Sequence, residues 1–218
     1  MLAYSTPRSA LPLQPSDALH PILSESFVPA KSQPCSFFPA GAEIYGQGEK
    51  AGKLYQVEFG SVRVSRLLAD GRRQISTFLL AGEIFGFEAD DTHHFSAEAI
   101  CATGIRFFRL STRADISREL LPLALRNLTR AQEHLLVLGR QNATERVAAF
   151  LVDMAERQGG LNQIALPMSR QDIGDYLGIT IETVSRIFSK LRETGIIKLP
   201  SLRNIEIRKW DVLQRMSQ

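Results

Sequence analysis

Cysteine is scarce: the chain carries two, Cys35 and Cys101, too few and too scattered for a disulfide framework or a zinc site. Both are expected to be small buried core residues. Histidine is scarce too, four in all, and the adjacent pair His93-His94 has no third ligand near it in sequence. Neighbouring strand side chains point to opposite faces, so a polar loop after "EADD" is the expectation for this pair rather than a metal or haem site. Long apolar runs are missing; none approaches the roughly 20 residues that span a bilayer. Neither a nucleophile elbow nor a phosphate-cradling glycine loop occurs, which leaves an enzymatic reading without a site. No cofactor is expected, and the chain is expected to be cytoplasmic.

What is present is an ordinary globular composition, 44% hydrophobic and 22% charged over 218 residues, long enough for one large or two small domains. Residues 1–33 carry Pro7, Pro12, Pro15, Pro21 and Pro29 among Ser and Ala, as a flexible arm would. The net charge of +3 is unevenly placed. Residues 1–138 balance at 14 Lys/Arg against 14 Asp/Glu, whereas 139–218 carry 12 against 9. From Arg186 onward the ratio is 8 to 3, which suggests a polyanionic partner.

The spacing of apolar residues divides the chain. From Ser36 to Leu110, short apolar runs alternate with turns at Gly60, Asp70-Gly71 and Gly82, as in "KLYQVEFGSVRVSRLLADGRRQISTFLLAGEIFG". This predicts an antiparallel β-roll or jelly roll over 34–110, with a hairpin at "ADGR". Then Leu121, Leu125, Leu128, Gln132 and Leu135 recur at spacings of 4, 3, 4 and 3. That is the seam of two paired helices, and Gln132 would sit oddly against a dry domain core. The segment 111–141 is thus predicted to hold a homodimer, with Pro122 in the first turn and a hinge at Gly139 to Asn142. Asn142 and Glu145 are placed to cap the following helix.

The third region, 142–218, contains "SRQDIGDYLGITIETVSRIFSKLRETGIIKL". Ser169 with Asp172 three residues on opens a short helix. Gly178 supplies a turn and Thr180 caps a second helix to about Glu193. "GIIKLPSLRNIEIR" supplies two short strands around a Pro-Ser turn. Helix, glycine turn, helix and β-wing describe a winged helix-turn-helix. Turning about 100° per residue, Ser185, Arg186 and Ser189 fall within about 60° of Glu182. Val184, Ile187, Phe188 and Leu191 fall opposite, giving one greasy face and one polar reading edge.

An arginine can donate to the O6 and N7 of guanine, and a carboxylate can accept from the N4 amine of cytosine. Glu182 and Arg186 are one turn apart, so they can address neighbouring base pairs, and Glu182 is expected to hold the Arg186 guanidinium. Arg170, Thr183 and wing residues such as Arg203 are expected at phosphates, with Thr180, Ile181 and Ser189 in support.

At these residues the sequence resembles the Crp/FNR superfamily of bacterial transcription regulators, over about 34 to 215. "TIETVSR" is similar to the recognition helix of the FNR/FixK branch, whose pattern is an acidic residue, two intervening positions and Ser-Arg. Ile181 stands where the cyclic-AMP receptor type has an Arg. The resemblance implies that Glu182, Ser185 and Arg186 read bases in a TTGA-type half-site and its inverted repeat. It also implies contact with RNA polymerase, through the exposed loop "RQGGLNQ" at 157–163. The family's cyclic-nucleotide cassette is Gly-Glu followed by Arg-Ser-Ala. Here Gly82 and Glu83 are followed by "HHFSAEA", with Phe95 where the phosphate-binding Arg would be. Losing that contact removes roughly 1.5–3 kcal/mol, so cyclic nucleotide binding is not expected. An FNR-type iron–sulfur cluster needs four cysteines and is excluded. The expectation is therefore a FixK-type activator of oxygen-limitation genes without a bound effector. The alternative is a regulator gated by an unidentified small molecule in the β-roll.

Overall fold

The computed structural model describes residues 34–108, 120–139 and 142–217. The expected arm, residues 109–119, the hinge residues 140 and 141, and residue 218 lie outside the described residues. The first region contains eight strands, β1 (Ser36–Phe38), β2 (Glu43–Tyr45), β3 (Leu54–Phe59), β4 (Ser61–Leu67), β5 (Arg73–Leu80), β6 (Ile84–Phe85), β7 (Ser96–Ala99) and β8 (Thr103–Phe108). They form two antiparallel four-stranded sheets, in the orders β1-β8-β3-β6 and β2-β7-β4-β5. Tyr45, Val62, Val64, Leu79 and Ala97 from one sheet meet Tyr55, Val57, Phe85 and Ile105 from the other in a single buried cluster. This is the predicted β-roll. The β4–β5 hairpin turns at Asp70-Gly71, where Gly71 has φ 81° and the Asp70 carboxylate accepts from the Arg72 N–H at 3.0 Å.

Two expectations fail here. His93 is 2% exposed, with its ring stacked 3.7 Å from that of Tyr45 and its Nδ1 3.2 Å from Glu88 Oε1. It is a satisfied core histidine, and only His94 faces solvent. Cys35 is exposed just before β1 and Cys101 partly so in the bend between β7 and β8, so neither lies within the sheet interface.

Helix α1 (Leu121–Leu138) follows, with Pro122 in its first turn. Its faces differ sharply. Leu121, Leu125, Leu128, Gln132 and Leu135 are all exposed in the single chain, Leu135 by 66%. On the other face, Asn127 donates to the Ile84 carbonyl at 3.3 Å and Leu123 packs with Leu54, Ile84 and Phe108. No helix among the described residues is long and apolar enough to cross a membrane.

The last region comprises α2 (Ala143–Arg157), β9 (Gln163–Ala165), α3 (Arg170–Leu177), α4 (Ile181–Glu193), β10 (Ile197–Lys198), β11 (Asn204–Ile207) and α5 (Trp210–Met216). Asn142 caps α2 by accepting from the N–H groups of Thr144 and Glu145. The predicted wing pair β10–β11 is present, and β9 adds a third antiparallel strand beside β11. One apolar cluster runs through Val147, Leu151, Ile173, Val184, Phe188 and Ile205, and extends into the β-roll through Ile75 and Phe78.

Candidate nucleic-acid interface

The helix-turn-helix is built from local chemistry. Ser169 Oγ accepts from the Asp172 N–H at 3.0 Å and the Asp172 carboxylate accepts from the Ser169 N–H at 3.0 Å, a full capping box opening α3. The helix ends at Gly178, whose φ of 65° suits glycine alone without strain. Gly174 has a different reason: a Cβ there would lie 2.6 Å from the Ile179 carbonyl oxygen, so its absence lets the turn close on the helix. Thr180 then caps α4 by accepting from the Thr183 N–H at 3.3 Å.

Helix α4 divides as its periodicity predicts. Val184, Ile187, Phe188 and Leu191 are buried, all at 7% exposure or less. Glu182, Ser185 and Arg186 are exposed side by side, with Thr183 and Ser189 half-buried and Thr180 and Ile181 exposed at the helix start. The expected Glu182–Arg186 clasp is replaced by another. The Arg186 guanidinium donates from Nη2 to Thr183 Oγ1 at 3.1 Å, and among the described residues no carboxylate forms an ion pair with it. Glu182 turns back to its helix start: its own N–H and the Thr180 hydroxyl, with a smaller contribution from Arg186, hold its carboxyl below the usual range. The helix N-terminus offers free N–H groups and a positive dipole end, which outcompete a side chain one turn away.

Arg170, expected near a phosphate, has its guanidinium carbon 3.5 Å from the centroid of Phe188. Burial there lowers its pKa to about 10, so it stays charged at neutral pH while bracing the α3–α4 contact. Arg203 lies exposed in the wing turn, where Ser201 Oγ accepts from its N–H at 3.3 Å, beside Leu202 at 92% exposure. The loop at 157–163 needs correction at its first residue. Arg157 ends α2 and its side chain is 9% exposed, held by Glu83; exposure begins at Gly159.

The α3–α4 pair is anchored through α3 by residues that periodicity does not mark. Arg73 Nη2 donates to Asp172 at 2.6 Å and to Asp175 at 2.8 Å, and Arg63 reaches Asp172 at 3.3 Å while also pairing with Glu98. The Gln74 side chain donates to the Asp175 carbonyl at 2.7 Å. Burial alone would raise the Asp172 pKa; the Ser169 hydrogen bonds and then the two arginines outweigh it and hold the carboxyl below its ordinary value. Above this contact, the His134 ring of α1 stacks 3.9 Å from that of Tyr176. Burial, partly opposed by the Tyr176 backbone, brings His134 down to about 4, so it is neutral at physiological pH.

A cavity of about 480 Å³ lies between the β-roll, α1 and the last region, lined among others by Tyr45, Phe95, Asn127, His134 and Tyr176. A cyclic phosphate entering it would meet arginines that are already engaged. The arginines on its wall, Arg130 and Arg157, are both paired to Glu83, at 2.7 and 2.6 Å. Glu88, Glu133, Asp153 and Glu156 face the same space, and burial together with Asp153 and Glu133 raises the Glu156 pKa. A phosphodiester would have to compete with Glu83 for Arg130 and Arg157 and would face these carboxylates.

Comparison with known proteins places this architecture. The family profile for the cyclic nucleotide-binding domain matches residues 36–114, and that for the Crp-like helix-turn-helix domain matches residues 145–216. The chain belongs to the Crp/FNR family, DNA-binding regulators of transcription. It is 56% identical to the nitrogen fixation regulation protein FixK of Rhizobium meliloti over 179 residues, 82% of this chain and 85% of that protein. FixK of Azorhizobium caulinodans is 43% identical over 191 residues, 82% of this chain and 77% of that protein. The solved structure of FixK2 from Bradyrhizobium japonicum aligns with a TM-score of 0.78 at 41% identity, covering 85% of this chain and 98% of that one.

Proposed function

We propose that this chain is a FixK-type transcription activator of nitrogen-fixation and oxygen-limitation genes, acting as a homodimer on a TTGA-type inverted repeat. The observation that carries it is the exposed face of α4, where Arg186 is braced by a neutral hydroxyl rather than neutralised by a carboxylate. Arg186 reads guanine in the major groove, Glu182 accepts from a cytosine amine, and Ser185 lies between them. Thr180, Ser189, the wing at Arg203 and the charge of Arg170 set register on the phosphates, with Thr183 holding Arg186 in support and Ile181 packing at the helix start. The exposed leucines of α1 pair with a second copy. That pairing brings two reading helices to successive major grooves, roughly 34 Å apart. RNA polymerase meets the loop over 159–163. The occupied arginines beside Glu83 support action without a bound cyclic nucleotide.

Affinity for the palindrome against a scrambled duplex of equal length, at fixed salt, tests the reading; equal affinity would refute it. Leu128→Lys tests the dimer. It should give monomers by light scattering and lose about 10²-fold or more on the palindrome, since two linked sites bind far better than one. The cavity at α1 favours one second reading, a regulator gated by a neutral or cationic small molecule. A ligand that changes DNA affinity on titration would establish it.

A further inference from the structure

Glu83 lies in the turn between β5 and β6, and that turn fixes its carboxylate: Oε2 accepts from the Leu80 N–H at 2.9 Å. Two guanidinium groups from different parts of the chain converge on it. Arg130 of α1 donates to Oε1 at 2.7 Å. Arg157, the last residue of α2, makes a fork, Nη2 to Oε2 at 2.6 Å and Nε to Oε1 at 3.3 Å. Two further donors of Arg157 are used as well, on the Phe78 carbonyl at 2.6 Å and the Asp153 carboxylate at 3.2 Å. The side chains of Glu83 and Arg157 are 14% and 9% exposed. The β-roll, the long helix and the DNA-binding half therefore meet at one carboxylate.

The chemistry of this junction bears on its purpose. Burying such a cluster costs desolvation that apolar side chains would avoid, so holding power alone is a weak reason for it. A guanidinium fork on a carboxylate is directional, whereas an apolar contact tolerates sliding. Burial alone would lower the Arg157 pKa, but Glu83 and Asp153 outweigh this and raise the pKa above its ordinary value. The network also links the middle of α1 to the far end of α2.

We propose that Glu83 is a positioning residue for DNA reading: through Arg130 and Arg157 it fixes the angle between α1 and the DNA-binding half, and so the spacing of the two α4 helices. This rests on the dimeric reading above. Glu83 touches no DNA. Its effect is confined to DNA that must be met at two places simultaneously.

The test compares Glu83→Gln with the unaltered full-length protein on three duplexes: the palindrome, one half-site, and the palindrome with two base pairs inserted at its centre. The variant should lose about tenfold on the palindrome, stay within about twofold on the half-site, and show a smaller insertion penalty. Glu83→Gln combined with Arg157→Gln should be no worse than the poorer single variant, because both break one network. Equal losses on palindrome and half-site would mean a merely structural role and would overturn the proposal, as would an unchanged palindrome affinity. Should Glu83→Gln fail to fold, Arg130→Gln carries the test: its side chain is 39% exposed, and the same pattern is expected at smaller size. If the unaltered protein does not prefer the palindrome, the DNA-reading proposal falls and this one with it. If it does and the variants match it, this one falls alone.

Discussion

Helices α3 and α4 are neighbours in one motif, but they are held in opposite ways. The charged groups of α3 look inward: Asp172, its side chain 5% exposed, is engaged by its own cap and by two β-roll arginines. Those at the start of α4 look outward and, among the described residues, have local partners, Thr183 for Arg186 and the Thr180 hydroxyl for Glu182. Polar groups that finish their bonding inside the chain fix geometry. Polar groups left at the surface with neutral, nearby partners keep capacity for a molecule that arrives later. The contrast suggests a rigid mount carrying an open reading edge.

The strongest challenge to this contrast is Asp172→Ala. It opens half of the capping box and takes one partner each from Arg63 and Arg73, which keep Glu98 and Asp175, so stability should fall by about 1–3 kcal/mol in urea denaturation. A loss under about 1 kcal/mol would show that α3 is no better held than α4. The pH dependence has a definite sign. The folded pKa of Asp172 lies below the ordinary 3.8, so its contribution is complete above that value and is lost as pH falls through the folded one. Acid unfolding of Asp172→Asn should accordingly lose this part of its pH dependence, while neutral-range behaviour stays flat.

On α4 the expected damage is to binding rather than folding. Arg186→Ala should leave urea stability nearly unchanged and cost about 1–3 kcal/mol on the palindrome, with choice relaxed at one base pair. An equal loss on random DNA would make Arg186 a phosphate contact. Glu182→Ala should act on discrimination more than on affinity: competing duplexes bind better relative to the palindrome, since a carboxylate repels every phosphate backbone alike. Unchanged discrimination would return Glu182 to a helix-start residue and nothing more.

The sequence made α4 legible but not its mount. Ser169, Asp172, Gly178 and Thr180 lie within twelve positions of one another, and caps and turns are local chemistry with local spacing. The exposed leucines of α1 and the buried face of α4 follow from period alone. Asp172 looked complete as a capping residue, so nothing asked for its second role; Arg63 and Arg73 are 109 and 99 residues away. The Glu83–Arg157 fork closes across 74 residues, so the local text around Arg157 reads as an exposed loop. Pairings of that kind leave no period to detect. His93 shows the same limit at shorter range: the polar text around it hid the aromatic cluster that encloses its ring.

The smallest expected effect tests the most local claim, that Thr183 rather than Glu182 steadies Arg186. Thr183→Val keeps the shape and the capped N–H but removes the hydroxyl that accepts from Nη2. An arginine without that acceptor samples more rotamers before it meets a base, and ordering it on DNA should cost about 0.5–1 kcal/mol on the palindrome. Random duplexes should be bound as before, because a mobile arginine still finds phosphates. Combining Thr183→Val with Arg186→Ala should add nothing to Arg186→Ala alone, since the hydroxyl then has no guanidinium to hold. An additive loss in that pair would mean that Thr183 meets the DNA itself, and the outward face of α4 would include one more reader than its present bonding suggests.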